Sequence, residues 1–276
     1  MTARTGMGNW TLDDIPWHRF DASKVDPDLV AVAKTASLVE RNAADYAAYL
    51  RGVFADDATF SEAAITWAEE EAQHGEALGR WARMADPNFD FEDALRRFVA
   101  GYRLPLTATA SVRGSRSGEL IARCVVESGT SSFYSAVRDK TEEPVIKAIC
   151  HRIAGDEFRH YKLFYSYLQR YLESERLSRL RCLRVASGRF LEVDDDELSF
   201  AYHCANRPES EPYDRVRANV AYTGLVARCY RRGHVERAAA MMLKACGLNA
   251  DGWFGRATRS IAWLHVQRHQ RRPAPT

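Results

Sequence analysis

No run of apolar residues in this 276-residue chain approaches the roughly 18–20 needed to cross a bilayer, so a membrane span is not expected. The stretch MTARTGMGNWTLDDIPW lacks an apolar centre and carries acids, unlike a secretory signal, which makes the cytoplasm the expected location. Cysteine pairing motifs are also missing: Cys124, Cys150, Cys182, Cys204, Cys229 and Cys246 are scattered with no CxxC among them. In a reducing compartment they read as buried free thiols rather than disulfides or zinc ligands. Nor does one charge dominate, since 39 basic residues face 37 acidic ones for a net charge of +2. The balance hides an asymmetry. From Arg176 onward 18 basic residues stand against 10 acidic ones, net +8, while the remainder carries 21 and 27, net −6. A basic C-terminal region beside an acidic core suits an acidic partner, with Arg228, Arg231 and Arg232 as candidate contacts, although a solvated arginine-rich surface gives the same count.

Proline and glycine are nearly absent from four long stretches, each with helical periodicity, and no segment alternates like a strand. The spacing predicts helices over about Pro27–Phe54, Thr59–Met84, Gly118–Lys140 and Glu142–Leu172, with a shorter one near Phe91–Tyr102. Beyond Glu175 shorter helices are expected, interrupted near Gly188, Arg207-Pro208, Gly233 and Gly247. The fold class is therefore all-α. Residues 1–25 read as an N-terminal extension, 26–175 as a four-helix core and 176–276 as a basic helical region.

Chemistry is concentrated at the centres of the four long helices. WAEEEAQHG places Glu71 and His74 three apart, on one helical face, and IAGDEFRHY does the same with Glu157 and His160. Glu40 lies in LVERNAADY and Glu127 in CVVESGTSS. Glu40 and Glu71 are 31 apart, Glu127 and Glu157 are 30 apart, and His74 and His160 are separated by 86, as are Glu71 and Glu157. The chain thus repeats a unit of Glu followed by Glu-x-x-His. A bundle that binds two metal ions needs one Glu from each of two helices and Glu-x-x-His from each of the other two. Carboxylates bridge hard cations, and imidazoles add nitrogen ligands suited to iron. The apolar stripe Ile146, Ile149 or Cys150, Ile153, then Glu157, His160 and Phe164 would bury a carboxylate and an imidazole at a cost that metal ions remove. A single Glu-x-x-His is usually a surface pair, and Glu69-Glu70-Glu71 reads equally well as an acidic face.

These residues resemble the soluble acyl-carrier-protein desaturases of the ferritin-like di-iron superfamily. The likeness covers WAEEEAQHG, about Ile121–Tyr134, and ICHRIAGDEFRHY from Ile149 to Tyr161. It implies a ferritin-like four-helix bundle with additional C-terminal helices and a centre of two Fe ions held by Glu40, Glu71, His74, Glu127, Glu157 and His160. It further implies that Thr130 is the active-site threonine involved in oxygen activation, and that Asp156 is an acid hydrogen-bonded outward from the cluster. The activity implied is oxygen-dependent desaturation or hydroxylation of a fatty acyl or similar apolar chain. An acyl carrier protein or other acidic carrier and an external, ferredoxin-like electron donor are the implied partners, and a homodimer is left open. The chain departs from the plant desaturases in its shorter length, in an abbreviated segment between the second and third helices, and in ASVRGSRSGEL before the third. Ile153 is apolar where the related arylamine N-oxygenases carry an additional histidine. Ferritin- or rubrerythrin-like iron handling and ferritin-like tRNA hydroxylation are the alternatives. Finally, Val235–Gln267 resembles the helical peptidoglycan-binding module through Gly247, Asp251, Gly252, Phe254, Gly255 and Thr258, but is read as a helix-turn-helix cap on the core.

Overall fold

The computed structural model describes residues 10–191 and 196–271, and among these eleven α-helices and three short 3-10 turns account for the regular structure, with no strand. The long helices begin where side chains can cap them. Asp26 caps α1 (Pro27–Arg41) ahead of a first-turn proline, Asp57 caps α3 (Ala58–Ala85), and Ser115 caps α5 (Arg116–Lys140). Glu143 caps α6 (Pro144–Glu175) with bonds to the backbone N–H of Val145 and Ile146, and it also accepts from Trp81 Nε1 at 2.8 Å. That carboxylate is fully buried, and its donors replace the water it loses.

One expected helix is two. The stretch from Pro27 to Phe54 breaks at Asn42 into α1 and α2 (Ala43–Val53), where the Asn42 N–H turns back to Val39 O at 3.1 Å. Asparagine is a weak helix former because its side chain competes for the backbone, so a break needs no proline or glycine. Helix α4 (Phe91–Gly101) follows α3 as expected. The C-terminal region forms α7 (Arg179–Leu191), α8 (Asp196–Asn206), α9 (Arg215–Ala227), α10 (Arg232–Ala245) and α11 (Trp253–Gln270). The interruption expected near Gly233 falls just before it, between α9 and α10, whereas Gly188 lies inside α7, where a Cβ would meet nothing. Gly247 does end α10, with a φ of +68° that favours glycine.

Helices α1 and α3 pack as one pair and α5 and α6 as another, with α3 against α6. Helices α1 and α3 come close at Gly75, where a Cβ would sit 2.7 Å from Arg41 N and 2.9 Å from Ser37 O. Only glycine allows that approach beside His74. Helix α8 lies on α1 and α4, α9 on α8, and α10 on α5, with α11 against α10. Tyr161 donates to Met241 O and Ser132 to His234 O, which ties α10 to the bundle. The segment that resembles a glycan-binding module is thus the α10–α11 pair, with α10 resting on α5. All six cysteines are buried and unpaired, as expected. No helix among the described residues is long and apolar enough to cross a membrane.

Two apolar clusters fill the bundle. One contains Trp67, Ala68, Ile121, Cys124, Val125, Tyr161 and Phe164. The other contains Leu78, Trp81, Tyr134, Val137, Ile146, Ile149 and Ile153. Between them, along each helix, lie the residues singled out from the sequence.

Candidate metal centre

The six expected ligands converge from four helices. Ligand atoms of Glu40, Glu71, His74 and Glu157 all lie within 4.8 Å of one another, and so do those of Glu71, Glu127, Glu157 and His160. Glu71 and Glu157 belong to both groups. Five of the six are buried, none more than 4% exposed, while Glu40 is half-buried.

Both imidazoles turn Nδ1 inward. His74 Nδ1 lies 3.0 Å from Glu71 and 3.2 Å from Glu157, and His160 Nδ1 lies 3.2 Å from Glu71 and 3.7 Å from Glu127. Their Nε2 atoms point outward to carboxylates, His74 to Asp156 at 3.1 Å and His160 to Glu70 at 2.7 Å. An Nε2–H held in this way leaves the Nδ1 lone pair for a metal. Arg159 spans the two outer acids, at 3.0 Å from Glu70 and 2.6 Å from Asp156. Trp10 donates its indole N–H to Asp156 at 2.7 Å and stacks parallel to His74, with ring centroids 6.0 Å apart. On the opposite side Thr130 Oγ1 donates to Glu157 Oε2 at 2.6 Å, and the Tyr134 hydroxyl donates to Glu40.

So many acids cannot all be charged in a dry core. Burial, reinforced by the carboxylates of Glu71 and Glu157, holds Glu40 well above the ordinary carboxylate range. Burial and the same two neighbours do this to Glu127. Burial works in the same direction on Glu71, but His160 and His74 overcome it and hold that carboxyl well below its usual value. Burial opposes charge on His160, yet Glu71, Glu70 and Glu157 push it up to about 10. His74 likewise rises well above its usual value through Asp156, Glu157 and Glu71, despite its burial. Asp156 is lowered to about 2 because its bonds to His74, Arg159 and Trp10 outweigh the cost of burial. Protons thus stand where cations would.

Several buried polar atoms still lack hydrogen bonds: both oxygens of Glu127, Glu157 Oε1 and His160 Nδ1. Such orphans are rare and costly in a core. Here all four belong to the expected ligand residues, and their carboxylate oxygens and imidazole nitrogen make a donor set compatible with a metal site.

Glu70, Arg159, Trp10 and Tyr134 were not assigned roles from the sequence. One signal was available, since Glu70 and Asp156 are also 86 apart and each directly precedes the Glu of a Glu-x-x-His. Trp10 belongs to the stretch read as an N-terminal extension, and nothing in that stretch links it to Asp156. The arginines expected to meet an acidic partner are engaged within the chain. Arg228 pairs with Asp28 at 3.0 Å, Arg232 with Glu236 at 2.8 Å, and Arg231 Nη2 donates to Asp139 O at 3.4 Å.

No protein-family model matches the chain, and no curated protein matches its sequence.

Proposed function

We propose that this protein is an oxygen-dependent di-iron oxidase of the ferritin-like superfamily, of desaturase or hydroxylase type, acting on an apolar chain. The observation that carries this is the pair of overlapping donor sets that share Glu71 and Glu157, each with one inward imidazole. Bridging carboxylates suit two hard cations a few ångströms apart. Iron, when bound, supplies the capacity to activate dioxygen and oxidise an unactivated carbon.

The chain's own residues supply the rest. Glu40, Glu71, His74, Glu127, Glu157 and His160 would hold the metals, and Asp156 and Glu70 orient the two imidazoles. The apolar clusters on both sides keep bulk water from the site. Thr130 carries an exchangeable proton beside Glu157, on the same side as the half-buried Glu40. Electrons would come from an external donor of ferredoxin type. The exposed arginines of α11, Arg256 and Arg268, offer such a donor a basic surface.

Thr130→Val tests the oxidase reading against iron handling. Valine keeps the shape and removes the hydroxyl. Iron content and helicity should stay unchanged, while oxidation of a long-chain acyl substrate falls or is diverted to hydrogen peroxide. The measurement is rapid mixing of the reduced, iron-loaded protein with dioxygen, with and without that substrate. If wild type and variant consume oxygen equally, ignore the acyl compound and only deposit ferric iron, the protein handles iron instead.

A further inference from the structure

Helix α5 buries a third charged residue besides Glu119, which accepts from Tyr49 and Ser111, and Glu127. Arg123 lies one turn before Glu127, four residues and about 6 Å along the axis, so the two share a face of the helix. Its side chain is only 7% exposed. Among the described residues no carboxylate stands within ion-pair distance of its guanidinium, and its Nε has no hydrogen-bond partner. The guanidinium lies over the Tyr46 ring, 4.9 Å from the centroid. Glu197, the acid nearest that ring, accepts from the Tyr46 hydroxyl at 2.6 Å instead.

A buried cation without a bonded partner is costly, and a cation–π contact recovers only about 2 kcal/mol of that cost. Arginine also stays charged whatever its surroundings, so it cannot escape by losing a proton. Glu127 lowers the cost from a distance, but its oxygens face the metal cluster and make no bond to Arg123.

Partly exposed positions lie between this arginine and the metal centre. Val126, Gly129 and Thr130 on α5 are half-buried, as are Glu40 and Tyr46 across from them, whereas the other five ligands are closed off. A Cβ added at Gly129 would find nothing within 4 Å. The Glu40 and Thr130 side is thus the less enclosed side of the cluster, with Arg123 at one end of it. The other side is shut by Trp10 and Arg159.

We propose that Arg123 is the anchor for a substrate carboxylate, and that the substrate is a free amphipathic carboxylic acid whose apolar chain runs along Val126 and Thr130 to the metal centre. The inference rests on the oxidase reading and deepens it. A planar guanidinium binds a carboxylate through two parallel hydrogen bonds, which fixes the head group and hence which carbon lies by Thr130. The Tyr46 ring forms the floor under the guanidinium.

Decanoate, decanol and acetate are the probes, titrated calorimetrically into the anaerobic iron(II)-loaded protein without oxygen or turnover. Wild type is expected to bind decanoate at least about tenfold more tightly than decanol, the range of a charge-assisted hydrogen bond. Acetate, which lacks the chain, should bind far more weakly. Arg123→Leu should abolish the preference for decanoate over decanol, and Arg123→Lys should keep part of it. A purely structural arginine would change both affinities together. Equal binding of decanoate and decanol by wild type overturns the proposal, as does a preference that survives in Arg123→Leu, or acetate bound as tightly as decanoate. The comparison in wild type decides even if the leucine variant fails to fold. Iron content, measured on the same samples, separates this outcome from failure of the metal-centre reading: two irons without carboxylate preference refutes only the anchor.

Discussion

His74 and His160 occupy equivalent places in a sequence repeat, yet their surroundings differ. His74 is held by Asp156, which is itself held by both Trp10 and Arg159, and the indole covers the imidazole face. His160 is held by Glu70, whose other partner in the pair is Arg159 alone. The remaining carboxylates differ in the opposite sense. Glu40, in the His74 group, is half-buried and bonded by Tyr134, whereas Glu127, in the His160 group, is sealed in with both oxygens unbonded. The repeat gives each metal position the same donor types. Packing then leaves the Glu40 end of one donor group partly exposed and encloses every residue of the other.

The largest expected effect follows from that difference. Glu127→Ala should cost the protein one of the two proposed metal ions, because the lost carboxylate supplies both charge and a ligand in a site closed to bulk solvent. Glu40→Ala should keep more metal, since its half-open position admits a water ligand. Metal content of the two variants, by plasma mass spectrometry, checks the order, and equal losses would remove the asymmetry. Both changes leave like charges crowded in the core, so thermal stability in the metal-free state should be recorded alongside.

A smaller effect is expected one step further out. Glu70→Gln and Asp156→Asn each keep the shape of the side chain but weaken its hold on the imidazole, which typically lowers metal affinity about 10–100-fold. Asp156→Asn should do more, because the Trp10 bond and the Arg159 pair also depend on that carboxylate. Competition with a chelator of known affinity measures both. An unchanged affinity in both variants would mean that the outer acids serve the fold alone.

How far the site was legible from sequence follows the same boundary. The long helices could be read because proline, glycine and capping residues mark their ends, and the ligands because Glu-x-x-His repeats at a fixed offset. The break at Asn42 carried no such mark, and Gly188 looked like a break but lies in α7 where nothing crowds it. Glu70 obeyed the repeat and was hidden within three consecutive glutamates. Trp10 and Asp156 meet across 146 residues, and only tertiary packing brings them together. Arg123 was given no role from the sequence, where nothing sets an isolated arginine in a helix apart from a solvated one.

The smallest effects are those of pH. In the metal-free protein Glu71, Glu70 and Glu157 push His160, despite its burial, up to about 10, above the unfolded value near 6.5. Its contribution to stability is therefore complete below about pH 6.5 and is lost as pH rises towards 10. The melting temperature of the metal-free protein should fall across that window. Metal binding must expel the same protons, so affinity should rise with pH and protons should be released on loading. Calorimetry in buffers of different ionisation enthalpy counts them. A metal-free melting temperature that is flat from pH 6.5 to 10 would contradict the charge state assigned to His160.

Iron stoichiometry tests the central claim most directly. Wild-type protein, loaded anaerobically with iron(II) and freed of excess, should carry close to two ions per chain, matching the two donor groups. Glu157→Ala removes a carboxylate common to both groups, so it should bring the content close to zero while circular dichroism still reports a helical protein. Wild type without iron, or a folded Glu157→Ala protein that still holds two ions, would contradict the shared-carboxylate centre.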